Sequence, residues 1–316
     1  MGSPHILQSD QPIGCPELLR HFEQVTAPLE SGKILFGGVG DCDVYNIAAP
    51  VHFGGETLIA GRVEPRETEH ATIVLFRRER DGVWRPRPGA PTFEGLQDPC
   101  VTVIDGELVL CGVRYPIELQ DGRTIWRMDF YRGRSVERLE RFLTGPDGMK
   151  DIRLKGLPDG RVALFSRPHC GPGFRGRIGF TVVDSLEALN ADVIAEAPIL
   201  HGQFDETEWG GVNEAHLLPD GRLGLLGHIA WMETGEIRHY YAMVFTIDPA
   251  TAKTGPVRII ATRPLFPPGP AKRADLVDVI FAGGLLRHWD GAATLFAGLS
   301  DAETGYVRIC DPFIGA

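Results

Sequence analysis

The stretch DGRLGLLGHIA, residues 220–230, joins a tight Asp-Gly turn to a short strand of alternating residues. Asp-Gly is a preferred hairpin dipeptide because both central residues of the turn take a positive φ. An apolar run precedes the turn, which predicts the middle of a β-hairpin. The same element occurs four more times, as GGETLIAGRVE (54–64), DGELVLCGVR (105–114), DGRVALFSRP (159–168) and DGAATLFAGLSD (290–301).

The five turns divide the chain into five similar units. Their glycines are roughly 50–70 residues apart, and five units of that length fill the sequence. A small antiparallel sheet repeated in this way is typical of a β-propeller blade. The alternative is a β-sandwich, whose turns recur every ~8–12 residues without a longer period. We therefore predict an all-β fold, a single five-bladed β-propeller. The turn glycines are Gly55, Gly106, Gly160, Gly221 and Gly291.

Helical patterning is limited to two short segments, about 14–30 and 185–191. We predict an N-terminal extension with a short helix over residues 1–34 and the propeller over residues 35–316.

Composition excludes several classes of protein. The chain has 316 residues with 43% hydrophobic and 23% charged residues, as expected for a globular protein. Acidic residues outnumber basic ones 42 to 32, and the net charge of −10 argues against nucleic acid and anionic membranes as partners. No apolar run reaches the ~20 residues of a membrane span, and no signal peptide is evident.

The six cysteines are scattered without a CxxC pair. We interpret them as reduced thiols, which places the protein in the cytoplasm or another reducing compartment. Glu214 and His216 share one face of a strand, but without a third ligand they do not indicate a metal site.

Polar residues recur at fixed distances from the turn glycines. Eight or nine residues before the first four glycines the chain has Asn or Asp, and seven residues after three of them it has Arg or His. These side chains serve either as strand-end caps with ordinary salt bridges or as the lining of a polar pocket on the propeller axis. Their recurrence on strands that should be buried favours the pocket. The residues are Asn46, Asp98, Asp151 and Asn213, then Arg62, Arg167 and His228, with Asp278 in the fifth unit.

Such a pocket suits sugar chemistry. Cleavage of a glycosidic bond needs a carboxylic acid that protonates the leaving oxygen. Cationic side chains beside the acid suit a phosphate or another anion. The segment MKDIR places Lys150 and Arg153 next to Asp151.

With their flanking residues the units become longer segments: NIAAPVHFGGETLIAGRVEPRE (46–67), GLQDPCVTVIDGELVLCGV (95–113), MKDIRLKGLPDGRVALFSRP (149–168), GGVNEAHLLPDGRLGLLGHIAW (210–231) and DVIFAGGLLRHWDGAATLFAGLSDAE (278–303). In this order they resemble successive blades of glycoside hydrolase family 130, the β-mannoside phosphorylases. They resemble more closely the β-1,2-mannosyltransferase/phosphorylases of glycosyltransferase family 108, long described as a domain of unknown function. The resemblance covers about residues 35–312.

The resemblance implies a propeller that catalyses an inverting reaction on mannose-containing oligosaccharides, with Asp98 of Gln97-Asp98-Pro99 as the general acid. Inorganic phosphate attacks the anomeric carbon, or mannose 1-phosphate or GDP-mannose donates the sugar, and no cofactor is implied. The phosphate would be bound by Lys150, Arg153, Arg167, His228, Tyr240 and Tyr241. The sugar would be bound by Asp43, Asn46, Arg62, Glu64, Gln97, Asp151, Asn213, Glu214, Asp278 and Asp301.

The chain departs from the phosphorylase motif Glu-Asp-Pro-Arg, because it has Gln97 and Cys100 at the first and last positions. Two other functions fit the same pocket. An inverting glycosidase would use water and a second carboxylate about 6.5–9.5 Å from the acid, for which Glu214, Asp43 and Asp151 are candidates. A propeller that binds carbohydrate without turnover is the other alternative.

Overall fold

The computed structural model describes residues 12–23, 28–168, 176–233 and 237–315. It is mostly β, with 51% strand and 8% helix, which confirms the predicted all-β class. None of the helices in these four ranges has the length and apolar character that a membrane span requires.

Two antiparallel sheets occupy the first half of the described chain. The elements are α1 (Cys15–Glu23), β1 (Glu30–Lys33), β2 (Asp43–Tyr45), β3 (Val51–Phe53), β4 (Glu56–Glu64), β5 (Thr72–Arg78), β6 (Trp84–Pro86), β7 (Phe93–Glu94), β8 (Leu96–Ile104), β9 (Glu107–Glu118), β10 (Thr124–Ser135) and β11 (Arg138–Thr144). The first sheet has the order β2-β4-β5-β6, with β3 paired to β4 and β7 to β5. The second has the order β11-β10-β9-β8.

Three further antiparallel groups occupy the second half. The elements are β12 (Arg153–Gly156), β13 (Val162–Ser166), β14 (Gly179–Val183), a 3-10 helix (Leu186–Ala188), α2 (Ala191–Ala195), β15 (Trp209–Leu217), β16 (Leu223–Met232), β17 (Arg238–Ile247), β18 (Arg258–Ala261), 3-10 helices (Arg263–Leu265 and Ala274–Leu276), β19 (Asp278–Arg287), β20 (Ala292–Leu299) and β21 (Glu303–Cys310). Strands β12 to β14 form the third sheet, β15 to β18 the fourth, and β19 to β21 with β1 the fifth. Two parallel residue pairs between β17 and β19 join the fourth and fifth sheets.

The five predicted turns all lie where they were expected. Each connects two strands that pair antiparallel in one sheet, and each turn glycine has a φ between +73° and +87°. Glycine tolerates this left-handed conformation without a steric penalty. The hairpin prediction is confirmed at all five positions.

Hydrophobic cores lie between consecutive sheets, because each sheet buries apolar side chains on both faces. The fifth sheet packs back against the first, so the sheets contact one another in a cyclic order. The pairs that mark the five cores, in order, are Leu75 with Leu110, Phe130 with Leu164, Phe165 with Leu225, Leu226 with Leu295, and Ile59 with Phe296.

The N-terminal segment contributes a helix and a strand. Helix α1 lies within the predicted helical segment and buries Leu18 and Phe22 against the core of the third and fourth sheets. Strand β1 lies within the predicted extension and pairs antiparallel with β21, so the first and last strands are neighbours. Residues 1–11 of the predicted extension are outside the described part.

One pair of cysteines corrects the prediction of reduced thiols. Cys100 on β8 and Cys111 on β9 are cross-strand partners with Cα atoms 5.2 Å apart, and they form a disulfide. Their pairing depends on the register of the two strands, which a separation of 11 residues in sequence does not reveal. Cys15, Cys42 and Cys310 are free.

Glycines let the fifth sheet approach the first closely. A Cβ added to Gly298 on β20 would lie 2.6 Å from the backbone nitrogen of Asn46. We expect Gly298→Ala to lower the free energy of unfolding by about 1–3 kcal/mol, because the backbone of Asn46 must shift. Urea unfolding measures this difference. Gly156→Ala is the matched control, since its nearest neighbour would be a side-chain carbon at 3.4 Å. Equal stability of the two variants would contradict the close contact.

Candidate active site

Four residues with an unusual backbone conformation meet at one cavity of about 410 Å³, here called the upper cavity. Asn46, Asp98, Asp151 and Asp301 have φ values of 46°, 50°, 57° and 51°. Left-handed φ is uncommon outside glycine and is best tolerated by Asn and Asp. Each residue lies at a strand end or, for Asp98, at an irregularity within β8. Residues held in such conformations cluster at functional sites.

Ten of the predicted site residues line the upper cavity. They come from all five sheets or from the segments beside them. They are Asn46, Arg62, Gln97, Asp98, Lys150, Asp151, Arg167, His228, Tyr240 and Asp301.

Only one oxygen of the Asp98 carboxylate is hydrogen-bonded. Its Oδ1 accepts hydrogen bonds from Asn46 Nδ2 at 2.8 Å and Arg62 Nη1 at 3.1 Å. Its Oδ2 makes no hydrogen bond with the described residues. Burial alone would lower the pKa of Arg62, but Asp98 and Glu64 raise it above its usual value. Arg62 is therefore a permanent cation that orients one oxygen of Asp98 and leaves the other available.

A second group surrounds Asp151. Arg167 Nη1 donates to Asp151 Oδ2 at 2.9 Å, and Arg167 Nε donates to a backbone oxygen. Burial of Asp151 would raise its pKa, but Arg167 and Lys150 hold that pKa well below the usual range. Lys150 lines the cavity and has no ion pair or hydrogen bond within the described residues. Its ammonium is available to an anion.

His228 is neutral in this environment. Burial lowers its pKa to about 3, and Arg167 and Lys150 add to the effect. Its Nδ1 lies 2.9 Å from Asn213 Oδ1 and donates to it, which leaves Nε2 as an acceptor. Tyr240 stacks on the imidazole with ring centroids 5.7 Å apart. His228 therefore suits a hydroxyl donor better than a phosphate charge.

Asp301 is the other carboxylate on the cavity. Burial and the charge of Asp98 raise its pKa, although Arg62 opposes the rise. No described group hydrogen-bonds its side chain. Asp301 is available to the hydroxyls of a bound polyol.

Two predicted sugar-binding carboxylates lie off the cavity. Asp43 is paired near the surface with Arg66, whose Nε and Nη2 lie 2.7 and 2.8 Å from its oxygens. Glu64 is fully buried and accepts from Arg62 Nη2 at 2.6 Å and from Lys272. Glu64 therefore positions Arg62 without contacting the cavity.

Tyr241 and Asp278 also lie elsewhere. Successive side chains of a strand point to opposite faces, so Tyr240 faces the cavity and Tyr241 does not. Tyr241 donates to Asp278 Oδ2 at 2.6 Å, and His239 Nδ1 lies 2.6 Å from the same oxygen. In this partly buried cluster, Tyr241, predicted to bind phosphate, and Asp278, predicted to bind sugar, are hydrogen-bonded to each other.

The remaining three predicted residues, Arg153, Asn213 and Glu214, line a second cavity farther along the same strands. Arg153 Nε donates to the backbone oxygen of Asn213 at 2.9 Å, and Arg153 does not line the upper cavity.

Sequence reasoning missed several lining residues, most of which have no polar repeat signal, although Val113 occupies the repeat position seven residues after Gly106. Arg273 is one, with Nη1 3.5 Å from Glu69 Oε1, and Arg238 is another, with Nε 3.0 Å from Asp275 Oδ2. The residues missed are Glu69, Val113, Tyr115, Trp126, Arg238, Arg273, Leu276, Val279 and Phe281. No three His, Cys, Asp or Glu side chains of the described ranges are grouped as a metal site.

The lowered pKa of His228 has a consequence for stability. Between its folded pKa of about 3 and the ordinary value of 6.5, the unfolded chain binds a proton that the folded chain does not. Stability is therefore lost as the pH falls, by about 1–2 kcal/mol from this residue between pH 6.5 and 5. We expect His228→Gln to remove that part of the loss in urea unfolding at the two pH values. His52 is exposed, so His52→Gln should lose as much stability between the two pH values as the wild type does. The same loss in His228→Gln would contradict a neutral His228.

Comparison with known proteins identifies the family. Residues 20–315 match the family described as "Protein of unknown function (DUF1861)". MPT-4, a mannose phosphorylase from Leishmania mexicana solved with phosphate ion, is 35% identical with a TM-score of 0.87, over 95% of this chain and 94% of that one. MPT-1, a GDP-Man-dependent mannosyltransferase from Leishmania mexicana, is 32% identical with a TM-score of 0.86, over 95% of each chain.

A β-1,2-mannobiose phosphorylase from Listeria innocua shares the fold at 13% identity and a TM-score of 0.59, over 90% of this chain and 92% of that one. No curated protein sequence matches the chain. The Leishmania mannose phosphorylase and mannosyltransferase are similar to this chain over almost its whole length, and the chain belongs to the DUF1861 family.

Proposed function

We propose that this protein is an inverting mannoside phosphorylase or mannosyltransferase that acts on β-1,2-linked manno-oligosaccharides. The observation that carries the proposal is that two groups line the same cavity. One is the Asp98 carboxylate, of which only one oxygen is hydrogen-bonded, and the other is the Lys150 ammonium, which has no ion-pair partner among the described residues. Related proteins act on mannose with phosphate or with GDP-mannose as the second substrate. The relevant co-substrates are therefore inorganic phosphate, mannose 1-phosphate and GDP-mannose.

In the phosphorolytic direction Asp98 donates the proton. Arg62 and Asn46 fix Oδ1, so the second carboxyl oxygen carries the proton to the glycosidic oxygen. The bond between the anomeric carbon and that oxygen breaks while a phosphate oxygen attacks from the opposite face. A β-mannoside is then converted to α-mannose 1-phosphate and a shortened acceptor, and the reverse reaction lengthens the acceptor.

The phosphate would lie beside Lys150 and Arg167. Lys150 supplies a charge that no described side chain neutralises, and Arg167 supplies a buried guanidinium already fixed on Asp151. Fixed cations of this kind stabilise the charge that moves onto the transferred group. Because phosphate is the nucleophile, a single acidic residue suffices.

The sugar would be held by the polar side chains on the rest of the wall. Asp301, Gln97 and the Nε2 atom of His228 offer acceptors for its hydroxyls, while Asn46 and Arg62 remain with Asp98. The cyclic order of the five sheets supports the five-bladed propeller that brings these residues together around one axis.

An inverting glycosidase is less consistent with the site. It needs a second ionised carboxylate that activates water. Of the candidates from sequence, Asp43 and Glu214 do not line the upper cavity, and Asp151 is ion-paired to Arg167. Asp301 does line it, but its raised pKa disfavours the ionised form that a base must have.

Asp98→Asn tests the proton donor. We expect it to lower elongation of mannose from mannose 1-phosphate or GDP-mannose at least ~10²-fold, since Asn cannot accept the proton of the attacking acceptor hydroxyl. Mass spectrometry of the oligomannosides measures the product, and added phosphate should reverse the elongation seen with mannose 1-phosphate. Asp105→Asn, in a hairpin turn with a φ of 51°, is the matched control with full activity. Undiminished turnover by Asp98→Asn would contradict the assignment, and sugar binding without turnover by the wild-type protein would favour a binding module.

Asp301→Asn tests a trade between stability and function. The raised pKa of Asp301 means that its ionised form destabilises the folded state above that pKa. We expect Asp301→Asn to raise the melting temperature at pH 7 and above, with no gain at pH 3, while lowering turnover about tenfold or more. Calorimetry at the two pH values measures the first effect. A lower melting temperature at pH 7 would show that the carboxylate stabilises the fold.

A further inference from the structure

A second cavity of about 190 Å³ lies farther along the strands that line the upper cavity. Strand β8 contributes Asp98 to the upper cavity and Thr102 to this one. The segment that contains β12 contributes Lys150 to the first and Lys155 to the second. We call the second space the lower cavity. None of the roles proposed above uses it.

The lower cavity has hydrogen-bond donors without acceptors. Arg153 is buried, and its Nη2 has only a distant charge partner, Asp151 Oδ1 at 3.7 Å. Asn213 is buried as well, and its Nδ2 has no hydrogen-bond partner. Lys155 is half-buried on the same wall and makes no ion pair or hydrogen bond with the described residues. Buried donors are normally satisfied, so Arg153 and Asn213 indicate a missing acceptor, and Lys155 offers a further donor on the same wall.

The carboxylate on this wall does not supply that acceptor. Glu214 Oε2 already accepts from the backbone nitrogen of Leu285 at 2.6 Å and lies 3.0 Å from His216 Nε2. The other lining residues are mostly apolar, among them Val101, Val109 and Leu154. Arg153 and Lys155 bring two cations to this wall, against the occupied carboxylate of Glu214 and the more distant one of Asp151.

We propose that the lower cavity binds a small oxyanion, inorganic phosphate or the phosphate of a small monoester, at a site separate from the upper cavity. Guanidinium, ammonium and amide donors converging on one small space are the groups that bind phosphate oxygens. Asn213 separates the two sites, since its Oδ1 accepts from His228 and its Nδ2 is left for the lower anion. The proposal is independent of the chemistry in the upper cavity.

The two lysines provide matched variants. Equilibrium dialysis of the full chain with labelled inorganic phosphate should show two sites in the wild type. Lys155→Met should weaken phosphate binding at the lower site at least tenfold and leave the upper site unchanged. Lys150→Met should weaken binding at the upper site and leave the lower site unchanged. A parallel series with glycerol 3-phosphate distinguishes a monoester from free phosphate as the better ligand of the lower site. Lys155→Glu, at the same half-buried position, should abolish the lower site and keep the circular dichroism spectrum of the wild type.

The outcomes separate this proposal from the proposed function. If the upper cavity does not bind phosphate, a single site remains that Lys155→Met weakens and Lys150→Met leaves intact. Identical binding of both ligands to the wild type, Lys155→Met and Lys155→Glu would overturn the lower site.

Discussion

Four polar residues in left-handed backbone conformation are the feature on which the site depends. Each such conformation costs about 1–3 kcal/mol and persists only where the surrounding packing over-determines it. Here the packing comes from cores between consecutive sheets, and from glycines that let the fifth sheet reach Asn46. The hydrophobic cores and the polar cavity are thus linked. The strands that bury apolar side chains between the sheets also place Asn and Asp at the cavity.

The charges that line the upper cavity are arranged for ligands more than for stability. Arg62 is balanced by Glu64 and Asp98, and Arg167 by Asp151, so most buried charge is compensated. Asp301 and Lys150 are exceptions. Ionisation of Asp301 is unfavourable because its pKa is raised, and Lys150 has no ion-pair partner among the described residues. Uncompensated groups in a cavity are where a sugar hydroxyl and an anion would bind most strongly. The same reasoning, applied farther along the strands, identifies the lower cavity.

Much of the fold and part of the site could be predicted from the turns. The turn glycine is left-handed in every sheet, and counting back from it leads to Asn46, Asp98 and Asp151, which line the upper cavity. The same count in the fourth sheet leads to Asn213, which does not line it. In the fifth sheet the cavity residue is Asp301, after β20, whereas the repeat suggested Asp278, before the turn. Strand alternation decides between Tyr240 and Tyr241, and cross-strand register decides the cysteine pair. Neither is visible without the paired strands, and residues on connections such as Arg273 have no periodic signal at all.

In the proposed reaction a single carboxylic acid and a phosphate act from opposite faces of the sugar. The configuration of the sugar phosphate that forms first from a β-1,2-linked mannobiose and inorganic phosphate tests this arrangement, and proton and phosphorus NMR can follow it. We expect α-mannose 1-phosphate as the initial product, with no free mannose beyond the released acceptor. Initial formation of the β-phosphate would contradict it, because retention requires a second carboxylate as the nucleophile.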